Sequence, residues 1–147
     1  MSQTVLITGA SNGIGKACAR VFARKGYDLV LVARHREKLE AVKAELSEYD
    51  VQIKVIAMDL TGEDAAVDLY NNSVLDDISI DILVNNAGFG DHGAFHDSSW
   101  EKQKKMVLLN IVALMQMTYV FGQSMKRRKK GRILNVASIA GLCAGPY

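Results

Sequence analysis

The chain has 147 residues, 49% of them hydrophobic and 23% charged, with a formal net charge of +2. That is one domain's worth with enough apolar side chains for a real core, and a charge too small to imply a nucleic-acid or membrane partner by itself. Cys18 and Cys143 show neither metal nor redox spacing, and neither a leader peptide nor an unbroken apolar run of roughly 20 residues stands out, so a cytoplasmic protein is expected.

Short runs rich in Val, Ile and Leu alternate with segments of helical period. A strand is expected over Thr4–Thr8, running into the turn Thr8-Gly9-Ala10-Ser11-Asn12-Gly13-Ile14-Gly15. Gly13–Lys25 reads as a helix with Ile14, Cys18, Val21 and Phe22 on one face and Gly26 as its stop. A strand over Asp28–Ala33 leads to a helix over Glu37–Tyr49, which carries Leu39, Val42 and Leu46 at helical spacing. After a third strand over Gln52–Met58, Thr61 can cap a third helix, with Asp64 three residues on. The fourth strand is expected over Ile80–Asn85. Ser98-Ser99-Trp100-Glu101 then reads as a capping box opening a helix to about Arg128, with Trp100 anchoring its first turn. Arg132–Ala137 is the fifth strand.

Strands this continuous in apolar residues suit a parallel sheet covered on both faces. Strand–helix repetition with right-handed crossovers implies an α/β fold, a doubly wound Rossmann-type sheet forming one domain over residues 1–147. Val107-Leu108-Leu109 and Ile111-Val112-Ala113-Leu114-Met115 make the fourth helix apolar on nearly every side, so a second surface should cover it: another subunit, or another part of the same chain. The run Lys126-Arg127-Arg128-Lys129-Lys130 complements the negative end of that helix. His92 and His96, between Asp91 and Asp97, sit in a glycine-bearing loop and are not read as a metal site.

The glycine turn carries the chemistry. Between a strand and a helix, Gly9, Gly13 and Gly15 permit a sharp turn and let backbone amides and a helix N-terminus approach a phosphate. Its T-G-x-x-x-G-I-G form has company: Asp59-Leu60 after the third strand, Asn85-Asn86-Ala87-Gly88 after the fourth, Asn110 within the fourth helix, and Ser138 at the end of the fifth strand. In that order and context these motifs resemble the short-chain dehydrogenase/reductase family along nearly the whole chain.

The resemblance implies strand order 3-2-1-4-5 and a nicotinamide cofactor held by Gly9, Ser11, Asn12, Gly13, Ile14, Gly15, Arg34, Asp59, Leu60, Asn86, Ala87 and Gly88. It implies a small carbonyl or alcohol substrate, with Ser138 hydrogen-bonding the carbonyl oxygen and Asn110 helping to anchor a water of the proton relay. Ala33-Arg34 at the end of the second strand offers a guanidinium, and no carboxylate, to an adenosine 2′-phosphate, so NADP(H) is expected over NAD(H). Against this, Asn12 stands where many NADP-preferring relatives carry a basic residue, and Arg34 could simply belong to a solvated turn.

The family's tyrosine and following lysine should lie further beyond Ser138 than Tyr147, the last residue, which no lysine follows. The expectation is therefore an N-terminal portion, roughly three-fifths of a typical member, cut after the fifth strand and inactive alone. The alternative is a non-catalytic nucleotide-binding or self-associating protein. A homo-oligomer through the Ser99–Arg128 helix, the exposed Arg132–Ala137 edge, or both is expected in either case.

Overall fold

Five parallel strands, β1 (Thr4–Thr8), β2 (Asp28–Ala33), β3 (Ile53–Ala57), β4 (Ile80–Asn85) and β5 (Arg132–Asn135), form one sheet in this computed structural model, in the order β3-β2-β1-β4-β5. Residues 2–75 and 77–142 are described; Cys143 and Tyr147 lie outside the described residues. The order and the parallel pairing are those expected from the sequence. β3 and β5 are shorter than expected, losing their outer residues where the ladder ends.

Successive side chains of a strand face opposite layers. Val5, Ile7, Leu29, Leu31, Ile82 and Val84 therefore pack under helices α1 (Gly13–Arg24) and α2 (Arg36–Glu45). Leu6, Val30, Val32 and Leu83 pack under α3 (Ala65–Leu75) and the long helix α4 (Trp100–Arg128). Leu39, Val42 and Leu46 of the α2 region are buried as their spacing requires.

Several local expectations are corrected. The inner face of α1 is Gly15, Ala19 and Ala23, with Cys18 and Phe22 partly covered, while Ile14 and Val21 are exposed. The helix lies so close to the sheet that only small side chains fit beneath it. Its end is as anticipated: Gly26 takes φ +78°, its amide donates to the Ala23 carbonyl (2.9 Å) and that of Tyr27 to Phe22 (3.1 Å). Thr61 does not cap α3; its amide and hydroxyl both donate to Asp59 Oδ1, at 3.0 and 2.9 Å. The N-cap of α4 is Ser99, whose hydroxyl accepts from the Lys102 amide at 3.2 Å, so Ser98-to-Glu101 is not the capping pair. Trp100 is exposed, so it is not the buried anchor of that turn expected from the sequence.

By length and composition α4 is the one helix among the described residues that could cross a membrane, although no single apolar run is that long. Its Ala113, Met117, Phe121 and Met125, four residues apart, are pressed onto the sheet instead. The turn Leu108–Ala113 has π geometry, an inserted irregularity often found at functional sites. The basic run at the end of α4 does more than answer its dipole: Arg128 and Lys130 pair with the buried Asp81 of β4 at 3.4 and 3.1 Å.

Candidate functional site

The site grows from the C-terminal ends of β1 and β4. Thr8 is almost fully buried, and its hydroxyl donates to the Val84 carbonyl (3.3 Å) while accepting from the amides of Asn86 (2.9 Å) and Ala87 (3.0 Å). Asn86 answers with its side-chain amide, which donates to the carbonyls of Thr8 (2.9 Å) and Gly9 (3.2 Å). These bonds lock the glycine turn to the Asn85–Gly88 segment. Gly9, at φ +65°, leaves no room for a side chain, since a Cβ would stand 2.9 Å from Ala87 Cα. Gly13, at φ +50°, faces open space. There α1 begins, and the amides of its first turn lack helical partners by construction. Asn12 precedes them as N-cap without spending its side chain on a cap bond.

Beside this turn lies a cleft of about 360 Å³, the size of a small-molecule pocket. Of the expected cofactor residues, Gly9, Ser11, Asn12, Arg34, Asp59, Leu60, Ala87 and Gly88 line it. Gly13, Ile14, Gly15 and Asn86 do not line the cleft itself; the first three form the start of α1 and Asn86 braces the turn from behind. Sequence reasoning missed His35, Lys38, Met58, Thr61 and Phe89, which neighbour expected residues in the chain, and Lys105 and Leu109, which the fold brings to the same cleft from α4.

Asp59 is the carboxylate of this cleft. The Thr61 amide holds its carboxyl below the usual range against partial burial, aided by the Thr61 hydroxyl and by the positive charges of Arg34 and Lys105. It is ionised at neutral pH, and its Oδ2 has no hydrogen-bond partner among the described residues. Arg34, Lys38 and Lys105 make the cleft positive on balance.

Asn110 stands in the π turn and exchanges two hydrogen bonds with Phe89, donating to its carbonyl (2.8 Å) and accepting from its amide (3.1 Å). The same Oδ1 would lie 3.0 Å from a Cβ at Gly88, so Asn110 backs the cleft wall made by Gly88 and Phe89. Ser138 follows β5 at the start of a short 3₁₀ turn, Ile139–Gly141, and accepts from the Ala140 amide at 3.1 Å. Among the described residues its own hydroxyl proton has no acceptor. Neither Asn110 nor Ser138 lines the cleft.

The loop between β4 and α4 is held by Asp91, which accepts from Ser98 Oγ, Lys102 Nζ, Gln103 Nε2 and the His92 amide. Lys102 first, then Ser98, hold the Asp91 carboxyl down to about 2. A folded-state value below the unfolded one of about 3.9 gives stability that is present above that value and lost as pH falls through about 2. The urea midpoint of the wild type should therefore exceed that of Asp91→Asn at pH 6, and the gap should close as pH approaches 2.

A family model described as short chain dehydrogenase matches residues 3–147. A very-long-chain 3-oxoacyl-CoA reductase of Coccidioides immitis is 34% identical over 146 residues, which cover 96% of this chain and 42% of that protein. The bulky-bulky ketone specific alcohol dehydrogenase from Comamonas testosteroni superposes with a TM-score of 0.89 at 36% identity, over 97% of this chain and 57% of that one. A short-chain dehydrogenase from Sphingobium yanoikuyae, solved in complex with NADPH, gives 0.89 at 37% identity, over 96% and 56%. The chain thus spans about half the length of these relatives.

Proposed function

This chain belongs to the short-chain dehydrogenase family of oxidoreductases, and from that premise we propose that its cleft binds NADP(H) in preference to NAD(H), for redox chemistry at an alcohol or carbonyl carbon. The observation that carries the preference is Arg34 at the end of β2, in the cleft, where a carboxylate would be needed to favour a free ribose 2′-hydroxyl. The neighbour crystallised with NADPH supports the cofactor class.

The residues present fit the cofactor. The glycine turn and the open first turn of α1 suit a pyrophosphate, which gains from both the free amides and the helix dipole. Asp59 Oδ2 suits the exocyclic amine of adenine, and Arg34 a 2′-phosphate. Bound there, the nicotinamide would supply or accept the hydride. Ser138 is proposed to donate its free proton in a hydrogen bond to the substrate oxygen as charge develops on it. Asn110 holds Phe89 and the cleft wall in place. The 147 residues contain no Tyr-x-x-x-Lys to act as acid and base. We therefore propose that they bind nucleotide without appreciable turnover, since general acid–base catalysis is worth roughly 10²–10⁴-fold.

Calorimetric titration of the chain with NADP⁺ and NAD⁺ tests the reading. NADP⁺ should bind at least about tenfold tighter, as expected of a charge-assisted bidentate contact, and Arg34→Ala should erase the difference. Equal affinities in the wild type would overturn it.

A second proposal rests on the outer face of α4. Val107, Ile111, Met115 and Tyr119 recur every fourth residue and are 49%, 52%, 63% and 69% exposed. Such a stripe suits a second copy of the chain. Light scattering at micromolar concentration should show a homo-oligomer that Met115→Glu dissociates; a wild-type monomer would refute the contact.

A further inference from the structure

The net charge of +2 conceals a segregation along the chain. From Val55 to Glu101 there is no Lys or Arg, and from Lys102 to the last residue there is no Asp or Glu. The cations are densest over Lys126–Arg132, where α4 ends and β5 begins, and all of that stretch is exposed. The fold adds to it, because Lys25, just past the end of α1, lines the same surface groove as Arg132. This corner lies where the strands start: Arg128 and Lys130 pair with Asp81 near the beginning of β4, and Asp81 also accepts from the Thr4 amide of β1 at 3.2 Å. The glycine turn and its cleft are at the opposite end of the sheet. Among the described residues, Asp77 lines a cavity with Arg128, and the other acids of this end, Asp28, Glu48 and Asp50, belong to β2 and the α2–β3 connection, beyond β1.

Two details separate this corner from an ordinary helix end. Lys129 takes φ +53°, a left-handed turn that the end of α1 gives to a glycine, Gly26 at φ +78°. Lys126, Arg127 and Arg128 already answer the helix dipole from the last turn, so the dipole does not account for a fourth cation on a strained backbone. The second detail is which charges face outwards. Arg127 donates to the Tyr70 hydroxyl at 3.2 Å, and Arg128 to the Ile80 carbonyl at 2.5 Å, so both guanidinium groups are committed to the protein. Lys25, Lys126, Lys129 and Arg132 pair with no carboxylate among the described residues. Three of these four are ammonium groups, point charges without the fork that reads a single phosphate. Exposed Val21, Ile133 and Leu134 line the groove between Lys25 and Arg132. A nucleic-acid backbone would leave such side chains in water, whereas the headgroup layer of a bilayer takes cations and apolar side chains together.

We propose that this corner docks the protein onto an anionic lipid surface through Lys25, Lys126, Lys129 and Arg132. The cleft, at the other end of the strands, then faces away from the lipid and stays open to water. The contact is peripheral, since the inner face of α4 remains packed on the sheet. It is independent of what the cleft binds.

Co-sedimentation with vesicles of phosphatidylcholine alone, and of an equal mixture with phosphatidylglycerol, tests the contact. The wild type should partition onto the anionic vesicles only, and less so as salt rises. Lys129→Gly should weaken that partition about fivefold, the contribution of one lysine near an anionic surface. Its melting temperature should nevertheless rise, because glycine takes the left-handed turn without strain. Combining it with Lys126→Gln should bring the loss to about 25-fold, two such contributions. Lys104→Gln removes the same charge at the other end of α4 and should change binding by less than about twofold, being beyond the Debye length of the lipid. Equal losses in Lys104→Gln and Lys129→Gly would overturn the inference, as attraction without a defined face. So would a wild type that ignores the anionic vesicles or binds the neutral ones equally. Duplex DNA that strips the protein from the vesicles at equal phosphate concentration would also overturn it and assign the corner to nucleic acid.

Discussion

Gly15→Ala is expected to destabilise the protein by about 3 kcal/mol or more, the upper range of overpacking effects, and to abolish nucleotide binding. A Cβ at this position would overlap the Gly9 carbonyl oxygen and come 2.5 Å from Asn86 Nδ2. The first obstacle is backbone. The second is the side chain that braces the turn through the carbonyls of Thr8 and Gly9. Neither can yield without pulling α1 off the sheet or opening the lock on the glycine turn. Gly13→Ala is the matched control. Nothing lies within 4 Å of a Cβ there, so only its φ of +50° resists, at about 1 kcal/mol. Urea denaturation of both variants gives the comparison, and equal losses would contradict the close approach of α1 to β1.

Thr8→Val should cost about 2–4 kcal/mol, although it preserves shape and adds apolar surface. The hydroxyl it removes receives the Asn86 and Ala87 amides and donates to Val84 in a nearly closed environment. Each amide left without a partner costs about 1–3 kcal/mol when no water replaces it. Thr8→Ser keeps the hydroxyl and loses one methyl, about 1 kcal/mol. Denaturant midpoints that rank valine above serine would show that water reaches the two amides.

The fold was legible because strands buried on both faces leave an unmistakable record. Val5-Leu6-Ile7 and Leu29 to Val32 have no polar interruption, and no amphipathic helix reads that way. The inner face of α1 was not legible, because the sequence reading sought large apolar residues where close packing selects Gly15, Ala19 and Ala23. Ser98 and Ser99 are both competent caps, and only the demand of Asp91 for the Ser98 hydroxyl assigns the N-cap to Ser99. At the site, the glycine turn and Asn86 announced themselves by spacing. Lys38 and Lys105 did not, since each is an ordinary surface cation of its helix until tertiary packing brings both to one cleft.

The lock between Thr8 and the Asn86–Ala87 amides joins residues 78 and 79 positions apart in the chain. Closing so long a loop is an entropic cost that local helix formation cannot offset in advance. A nascent chain that has made β1, α1, β2 and α2 therefore holds a complete glycine turn but no braced cradle. On the proposed function, nucleotide would bind tightly only after Ala87 has emerged and β4 has docked beside β1. From then on, bound nucleotide would withdraw population from the partly folded states, the more so the higher its concentration. The cofactor pool would thus act on the yield of folded protein as well as on its occupancy, through one threonine hydroxyl and one asparagine amide.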